Sequence, residues 1–570
     1  MKLLAVSEGV SRGYNKKWIT AILLSLRTFI FFFPLITYAD VNSTQTVMLE
    51  QQQRELKNSL TPPLSHTQMK SESATLDGVI SSDEISCLVI DRVELLNLSA
   101  FPNAARLAQW AKQAQGHCLG EKGLSALQNN LQWQLVDDGY ITSQVTFTED
   151  SYADGVLSLT LIPGRVNGIE HHENSDSYAQ LNTLFPSKAG GLANLRDIEQ
   201  GLENLQRLPS VDATMEIQLN QEDLTSQIVV NRQQSRFWRI NTFLDNAGYD
   251  AVGRYRAGAT LFLDNPLSLS DLVYLSASRE LDNHHDKGSG YLSLHYSVPF
   301  GNWLWSITGS RGTYYQTLLI ADTAFEYSTY WQSLDIQIQR LLMRGHNYKT
   351  VGYTGALIRK SNRFFADIEL EIQRQDTVDW QLGFRHLHYT HWATITGGIN
   401  YQQGTQWFGS GSSAGTTAFQ ATRLVNVTAA LDIPFMLGEQ RFHFQPEFSH
   451  QYSRSHLKMQ DQFSIGGRNS VRGFSTGNVL TGSQGWFLKN DLVWVNQHIG
   501  SQLYMGMDYG QVSEKGEQFL LGDTLVGAVA GIRGGYHRFG YDLNVGTPLY
   551  KPANFQTDAL VLGFMINWQY

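Results

Sequence analysis

The chain has 570 residues, a formal net charge of −9, 50 glycines, 12% aromatic residues and only 17% charged ones. Its mean hydropathy is −0.26, too low for a bundle of apolar helices. The acidic balance, without a basic stripe, excludes nucleic acid as a partner. Few charges with many aromatics and glycines suit a transmembrane β-barrel, whose strands are apolar on one face only.

Lys2, Arg12, Lys16 and Lys17 precede a mostly apolar run from Trp18 to Ile36 and then Thr37-Tyr38-Ala39. This reads as a secretory signal peptide over residues 1–39, cleaved after Ala39. Arg27 interrupts the run, so an uncleaved anchor is the alternative. Residues 40–82 are polar; Gln45 to Leu60 can form one helix, ended by Pro62-Pro63 and followed by a Ser/Thr/Asp-rich linker. A plain polar tail fits the same composition.

Cys87 and Cys118 flank one short segment. In an exported chain an isolated pair reads as a disulfide, with two free buried thiols as the alternative. Their spacing is too wide for a CxxC motif, and no paired histidines offer zinc spacing.

A two-fold pattern follows. Ile90 to Leu98 is strand-like, Asn103 to Gln115 and Leu124 to Leu135 have helical spacing, and Ile141–Glu149 and Val156–Pro163 alternate as strands. The order βααββ recurs through strand Arg165–His171, a helix near Tyr178–Phe185, helix Arg196–Leu208, and strands Ala213–Leu219 and Ser226–Val230. This divides the region into modules at 83–164 and 165–235.

From 236 to 570 period-two alternation takes over. Asp335-Ile336-Gln337-Ile338-Gln339 puts both isoleucines on one face, Asp367 to Gln373 alternates with three carboxylates, and Arg441-Phe442-His443-Phe444-Gln445 carries aromatics outward. Trp303 and Trp305 suit an interfacial girdle. The last strand sets Leu560, Leu562, Phe564, Ile566, Trp568 and Tyr570 on one face. At roughly 20 residues per strand and connection, this length predicts about 16 strands, closed so that no edge faces lipid.

Near 455–487 lies Gly466-Gly467-Arg468-Asn469-Ser470-Val471-Arg472-Gly473-Phe474, where glycines permit a sharp fold-back. A buried arginine here needs a carboxylate, and Asp508 in Gly506-Met507-Asp508-Tyr509-Gly510 is the candidate. Other motifs carry no chemistry. Gly411-Ser412-Ser413-Ala414-Gly415 satisfies G-x-S-x-G but lies in a Gly/Ser run without a strand-to-helix elbow. On a strand, His391 falls on the face opposite His386 and His388. His171-His172 and His284-His285 sit in polar turns. No phosphate-binding loop occurs, and no cofactor, metal or catalytic residue is expected.

Cys87-Leu88-Val89-Ile90 with Cys118, Asp138-Gly139-Tyr140-Ile141-Thr142-Ser143-Gln144-Val145, and Leu161-Ile162-Pro163-Gly164-Arg165 resemble the first polypeptide-transport-associated (POTRA) domain, ShlB type, of two-partner secretion transporters. Asn194 to Leu202, with Leu208-Pro209-Ser210, resembles the second. Val471-Arg472-Gly473-Phe474 is similar to the lumenal-loop signature of this barrel superfamily, and the Asp508 strand to its acidic receptor. The resemblance implies a periplasmic POTRA tandem on a bacterial outer-membrane barrel, and an Arg472–Asp508 latch joining Val471, Arg472, Gly473 and Phe474 to the wall. It further implies a client exoprotein of haemolysin, adhesin or contact-dependent toxin type, bearing an N-terminal secretion domain, and a helix within 40–82 that plugs the pore. Outer-membrane lipid, the barrel-assembly machinery for insertion and a monomeric state belong to the same expectation. A barrel-assembly insertase of the same superfamily is the alternative; two POTRA modules instead of a longer array, the cysteine pair and the Gln-rich helix argue against it.

Overall fold

The computed structural model describes residues 60, 64–65, 67, 84, 86–147, 151–220, 222–282, 286–320, 322–410, 422–496, 500–514 and 522–570. The expected signal peptide, nearly all of the Gln45–Leu60 helix, the Gly411–Gly415 run and His284-His285 lie outside these residues.

The first α/β unit contains β1 (Arg92–Leu96), α1 (Ala104–Ala111), α2 (Glu121–Asp137), β2 (Gln144–Thr146) and β3 (Val156–Ile162). β3 is central, parallel to β1 and antiparallel to β2. Its alternation buries Leu157, Leu159 and Leu161 against Leu107 of α1 and Leu127, Leu131 and Leu135 of α2. Gly139 ends α2 with φ +95°, a conformation that only glycine adopts freely. The Cys87–Cys118 disulfide ties the segment before β1 to the strand-like Cys118–Leu119 ahead of α2.

The second unit repeats the order with β4 (Arg165–His171), α3 (Leu181–Leu184), α4 (Leu195–Gln206), β5 (Val211–Asn220) and β6 (Thr225–Gln234). β6 is central, parallel to β4 and antiparallel to β5. Here the first helix shrinks to a single turn. The Asn194 side chain caps α4 by accepting from the Arg196 N–H.

Sixteen antiparallel strands then close into a barrel. They are β7 (Trp238–Asp245), β8 (Arg256–Asp264), β9 (Leu272–Glu280), β10 (Lys287–Phe300), β11 (Trp303–Ile320), β12 (Thr323–Arg344), β13 (Tyr348–Phe365), β14 (Gln375–Tyr389), β15 (Thr394–Thr405), β16 (Arg423–Leu437), β17 (Gln440–Tyr452), β18 (Gln484–Asn496), β19 (Ser501–Ser513), β20 (Thr524–Tyr536), β21 (Phe539–Tyr550) and β22 (Val561–Gln569). β22 pairs back onto β7 from Asn241↔Gln569 to Asp245↔Met565. Strand length is uneven: β7 has 8 residues and β8 and β9 have 9, whereas β12 has 22.

The burial pattern is that of a membrane barrel and the inverse of a soluble sandwich. Ser276, Ser293, His295, Thr308 and Gln402 are buried inside, while Leu261, Leu275, Leu294, Trp305, Phe384 and Ile399 are exposed outside. No helix among the described residues is long and apolar enough to span a membrane.

One alternating segment departs from expectation. Asp367 to Gln373 is not a wall strand: only Ile368–Glu369 pairs, and Glu371–Gln373 is a 3-10 turn. Positive φ at Ala366 and Asp367 turns the chain there, forming the crest of the β13–β14 hairpin. His391 likewise lies in the connection after β14, and no metal-holding cluster occurs among the described residues.

Candidate functional site: the lumenal loop and the periplasmic mouth

The connection between β17 and β18, residues 453–483, folds into the barrel. It carries a two-strand ribbon of Phe463–Ile465 and Leu480–Gly482 that brings its ends together. Gly466, Gly467 and Gly473 have φ of +106°, +88° and +95°, allowing reversals a side chain would resist. Val471 and Phe474 anchor the tip in an apolar cluster with Ile465, Phe487, Leu525 and Phe555. Phe474 meets Phe555 edge to face, ring centroids 5.8 Å apart.

Between these anchors Arg472 reaches the wall. Its Nε donates to Asp508 Oδ2 at 2.6 Å and its Nη2 to Asp508 Oδ1 at 2.8 Å, a bidentate fork. The Arg472 backbone N–H also donates to Asp508, at 3.0 Å. Nη2 reaches a second carboxylate, Asp491 of β18, at 2.6 Å. The side chain of Asp508 is fully buried and that of Arg472 only 12% exposed, so the charges interact with little solvent screening.

The wall is shaped to receive this tip. The β18–β19 ladder runs to Leu488↔Tyr509 and resumes at Asp491↔Gly506. In the gap the Asp508 carboxylate accepts the Asn490 N–H at 3.3 Å, and the Asn490 side chain donates to the Met507 carbonyl at 3.0 Å. A Cβ on Gly527 would collide with the Arg472 carbonyl, and one on Gly546 with the backbone of Gly473. Glycine at both wall positions therefore lets the loop lie backbone to backbone on β20 and β21.

Of the residues singled out in the sequence, Val471, Arg472, Gly473, Phe474 and Asp508 thus meet, and Cys87 and Cys118 are joined elsewhere. Asp491 was missed. Its signal was faint: one of three consecutive polar residues, Lys489-Asn490-Asp491, between the apolar runs Trp486-Phe487-Leu488 and Leu492-Val493-Trp494.

A second contact region lies at one mouth of the barrel, where α4 docks on the hairpin ends. The second unit's core continues into Phe262, Leu272 and Tyr274 of the barrel foot. The Asn204 side chain donates to the Leu184 and Gly301 carbonyls at 2.7 and 2.9 Å. Arg207 donates to Ser270 O and Ser297 Oγ, both at 2.8 Å. Burial pushes the Arg207 guanidinium down to about 10, against the pull of Asp271 and Asp264. Glu203 is paired with both Lys349 and Arg344. Burial would raise its carboxyl, but those two cations outweigh it and hold the group below the ordinary carboxylate range. Glu203, Asn204, Arg207 and Lys349 border a cavity of about 1120 Å³, also lined by Leu60, Leu64, Arg239 and Arg385.

Comparison with known proteins places this architecture. The profile "Haemolysin secretion/activation protein ShlB/FhaC/HecB" matches residues 225–534, preceded by "POTRA domain, ShlB-type" over 88–164 and "POTRA domain" over 165–218. The chain belongs to the haemolysin secretion/activation family. Outer membrane transporter CdiB-2 of Burkholderia pseudomallei (strain 1026b) is 30% identical over 85% of this chain and 87% of its own length. Hemolysin transporter protein ShlB of Serratia marcescens is 26% identical over 66% of this chain and 67% of its own. Among solved structures, CdiB from Acinetobacter baumannii superposes with a TM-score of 0.81 at 26% identity, covering 93% of this chain and 99% of that one. Like the rest of its family, this chain is an outer-membrane β-barrel transporter of two-partner secretion, with its POTRA units in the periplasm.

Proposed function

We propose that this transporter carries one large unfolded exoprotein, of haemolysin, adhesin or contact-dependent toxin type, from periplasm to cell surface. The observation that carries this reading is the docking of the second POTRA unit on the barrel mouth, around a cavity of about 1120 Å³. Open sheet edges in the two units offer main-chain hydrogen bonds to an extended client. Away from the apolar seat of the loop tip, small and polar groups such as Ser276, Ser293, Thr308 and Gln402 line the barrel interior.

In this reading Arg472, clamped by Asp508 and Asp491, is a structural latch and not a catalytic group, and the protein is not an enzyme. Residues 1–39 serve as the export signal and 40–82 as plug and linker. The protein acts as a monomer after insertion by the barrel-assembly machinery, and recognises its partner through that partner's N-terminal secretion domain. Comparing supernatant and outer-membrane proteomes with and without the gene tests this. Loss of one large supernatant protein with normal outer-membrane barrels is the expected result. A broad fall in many barrels would instead mark an assembly insertase.

A further inference from the structure

On the outward face of β11 to β14 the register aligns side chains in rows. Trp305 sits beside Ile338, Ile307 beside Ile336, and Gly309 in one row with Leu334, Ile358 and Val378. The next row, farther from the hairpin turn at Gly301 that meets the second POTRA unit, is Arg311, Gln332, Lys360 and Asp376. Arg279 of β9 lies two strands before Arg311 and one row higher, since it pairs with Gly290, and Gly290 with Thr313. On β16, Arg423 holds the corresponding place beyond Val425 and Val427. Charge is absent from these apolar rows and returns, as cations, at their outer edge.

Arg279, Arg311, Lys360 and Arg423 are all exposed, and among the described residues none of them makes an ion pair. Asp376 is the acid that shares their belt, opposite Lys360. Glu280, next to Arg279, is buried on the inward face. Of the acids farther out, Asp282 pairs with Lys287 at 3.6 Å, Glu369 pairs with Arg374 at 2.7 Å, and Glu326 stands six residues beyond Gln332 on β12. The belt is therefore positive, and it faces away from the lumen that a client would use.

Cations at the rim of an apolar band lie at the level of lipid headgroups, and clustered Lys and Arg there select anionic headgroups. Arg311 and Lys360 stand two strand spacings apart, roughly 10 Å, a span that two long side chains can close around one phosphate or share between two. Exposed Gln332 lies between them and exposed Tyr330 one row beyond, adding neutral donors that suit sugar hydroxyls. We infer that this belt binds the phosphates of an outer-leaflet glycolipid of the lipid A type. The site depends on the outer-membrane placement of the barrel and is independent of which protein the barrel carries. Lipid held there fixes the depth at which β9 to β13 sit in the bilayer.

The test titrates the purified full chain, in detergent freed of lipid, with bisphosphorylated lipid A, with the same lipid stripped of both phosphates, and with phosphatidylglycerol. Bound lipid is counted by native mass spectrometry. Bisphosphorylated lipid A is expected to bind at least tenfold more tightly than either of the others, and an equal concentration of inorganic phosphate is expected not to displace it. Arg311→Gln with Lys360→Gln is expected to weaken that binding at least fivefold while the barrel keeps its folded mobility on unheated gels. Arg92→Gln, on the first POTRA unit, removes one charge elsewhere and is expected to bind as the parent does. Equal binding of the two lipid A forms overturns the proposal, as does parental binding by the folded double variant. Phosphatidylglycerol binding as tightly, or displacement by inorganic phosphate, overturns the glycolipid assignment. Where the double variant does not fold, the comparison of lipids on the parent decides.

Discussion

Arg359 of β13 donates to Asp461, in the inserted loop, at 2.7 Å. The same nitrogen donates to Asp379 of β14 at 2.8 Å, so one guanidinium ties the loop's first arm to the wall. Ion pairs thus hold the loop by Arg359 near its start and by Arg472 at its tip, beside hydrogen bonds such as those of Gln460 to Thr377 and Ser475 to Thr557. Asp461→Asn keeps the Arg359–Asp379 pair and weakens only the loop contact. Planar-bilayer recordings of the variant are expected to show several-fold more frequent open events from a barrel that remains folded. An unchanged event rate would mean the first arm has no part in closure.

Arg472→Ala leaves two carboxylates, Asp508 and Asp491, facing each other without their cation. Breaking a buried pair costs about 3–5 kcal/mol. Secretion is expected to fall at least tenfold, and the folded barrel to melt at lower temperature on unheated gels. Arg472→Lys should be intermediate, because an ammonium cannot make the planar fork. Normal secretion from correctly inserted Arg472→Ala barrels would remove the latch role.

The same seat can be blocked from the wall side. Gly527→Val places a side chain where the Arg472 carbonyl lies, leaving Arg472, Asp508 and Asp491 intact. Trypsin should then cut the loop at Arg468 or Arg472 in inserted protein, where the parent resists. Equal resistance would show that the loop does not need this backbone approach.

Cys87 and Cys118 should resist alkylation until reduced. Replacing both by serine should lower the stability of the first POTRA unit by ~2–4 kcal/mol, the usual worth of such a crosslink. Urea titration followed by proteolysis reads this directly, with the barrel as internal standard.

Acid should act on the same unit through Glu84. Its carboxylate accepts the N–H groups of Gly123, Lys122 and Gly120 at the start of α2, at 2.7, 3.1 and 3.2 Å. These bonds, that from Gly123 foremost, hold its carboxyl below the usual range. A depressed acid stabilises the fold above its unfolded value and loses that contribution as pH falls through the folded one. Glu84→Gln should therefore reduce stability more at pH 7 than at a pH below the folded value. An equal effect at both would assign the loss to packing.

The alternation that foretold the barrel is a local property, since each wall strand must be apolar outward and polar inward, residue by residue. It misled at Asp367–Gln373 because a hairpin crest above the membrane can alternate without pairing across it. The βααββ order was readable for the same local reason, although the helix foreseen near Tyr178–Phe185 keeps only Leu181–Leu184. Arg472 and Asp508 were legible through their glycine-rich surroundings. Asp491, Asp461 and the Glu203–Lys349 pair were not, because nothing near each residue marks its partner; Glu203 and Lys349 stand 146 residues apart and meet only once the second POTRA unit has docked.

The uneven strands give this pore a lopsided profile. At about 3.4 Å per residue and a tilt near 40°, β7 to β9 rise only about 21–23 Å, just under the height of the apolar band itself. By the same estimate the 22-residue β12 rises about 55 Å, roughly 30 Å of it beyond the band. On the outer surface the exit is thus a spout, walled on one flank by β11, β12 and β13 and cut low beside the β7–β22 seam. A polypeptide leaving it would be screened from neighbouring surface molecules on the tall flank and released toward the lipid on the low one.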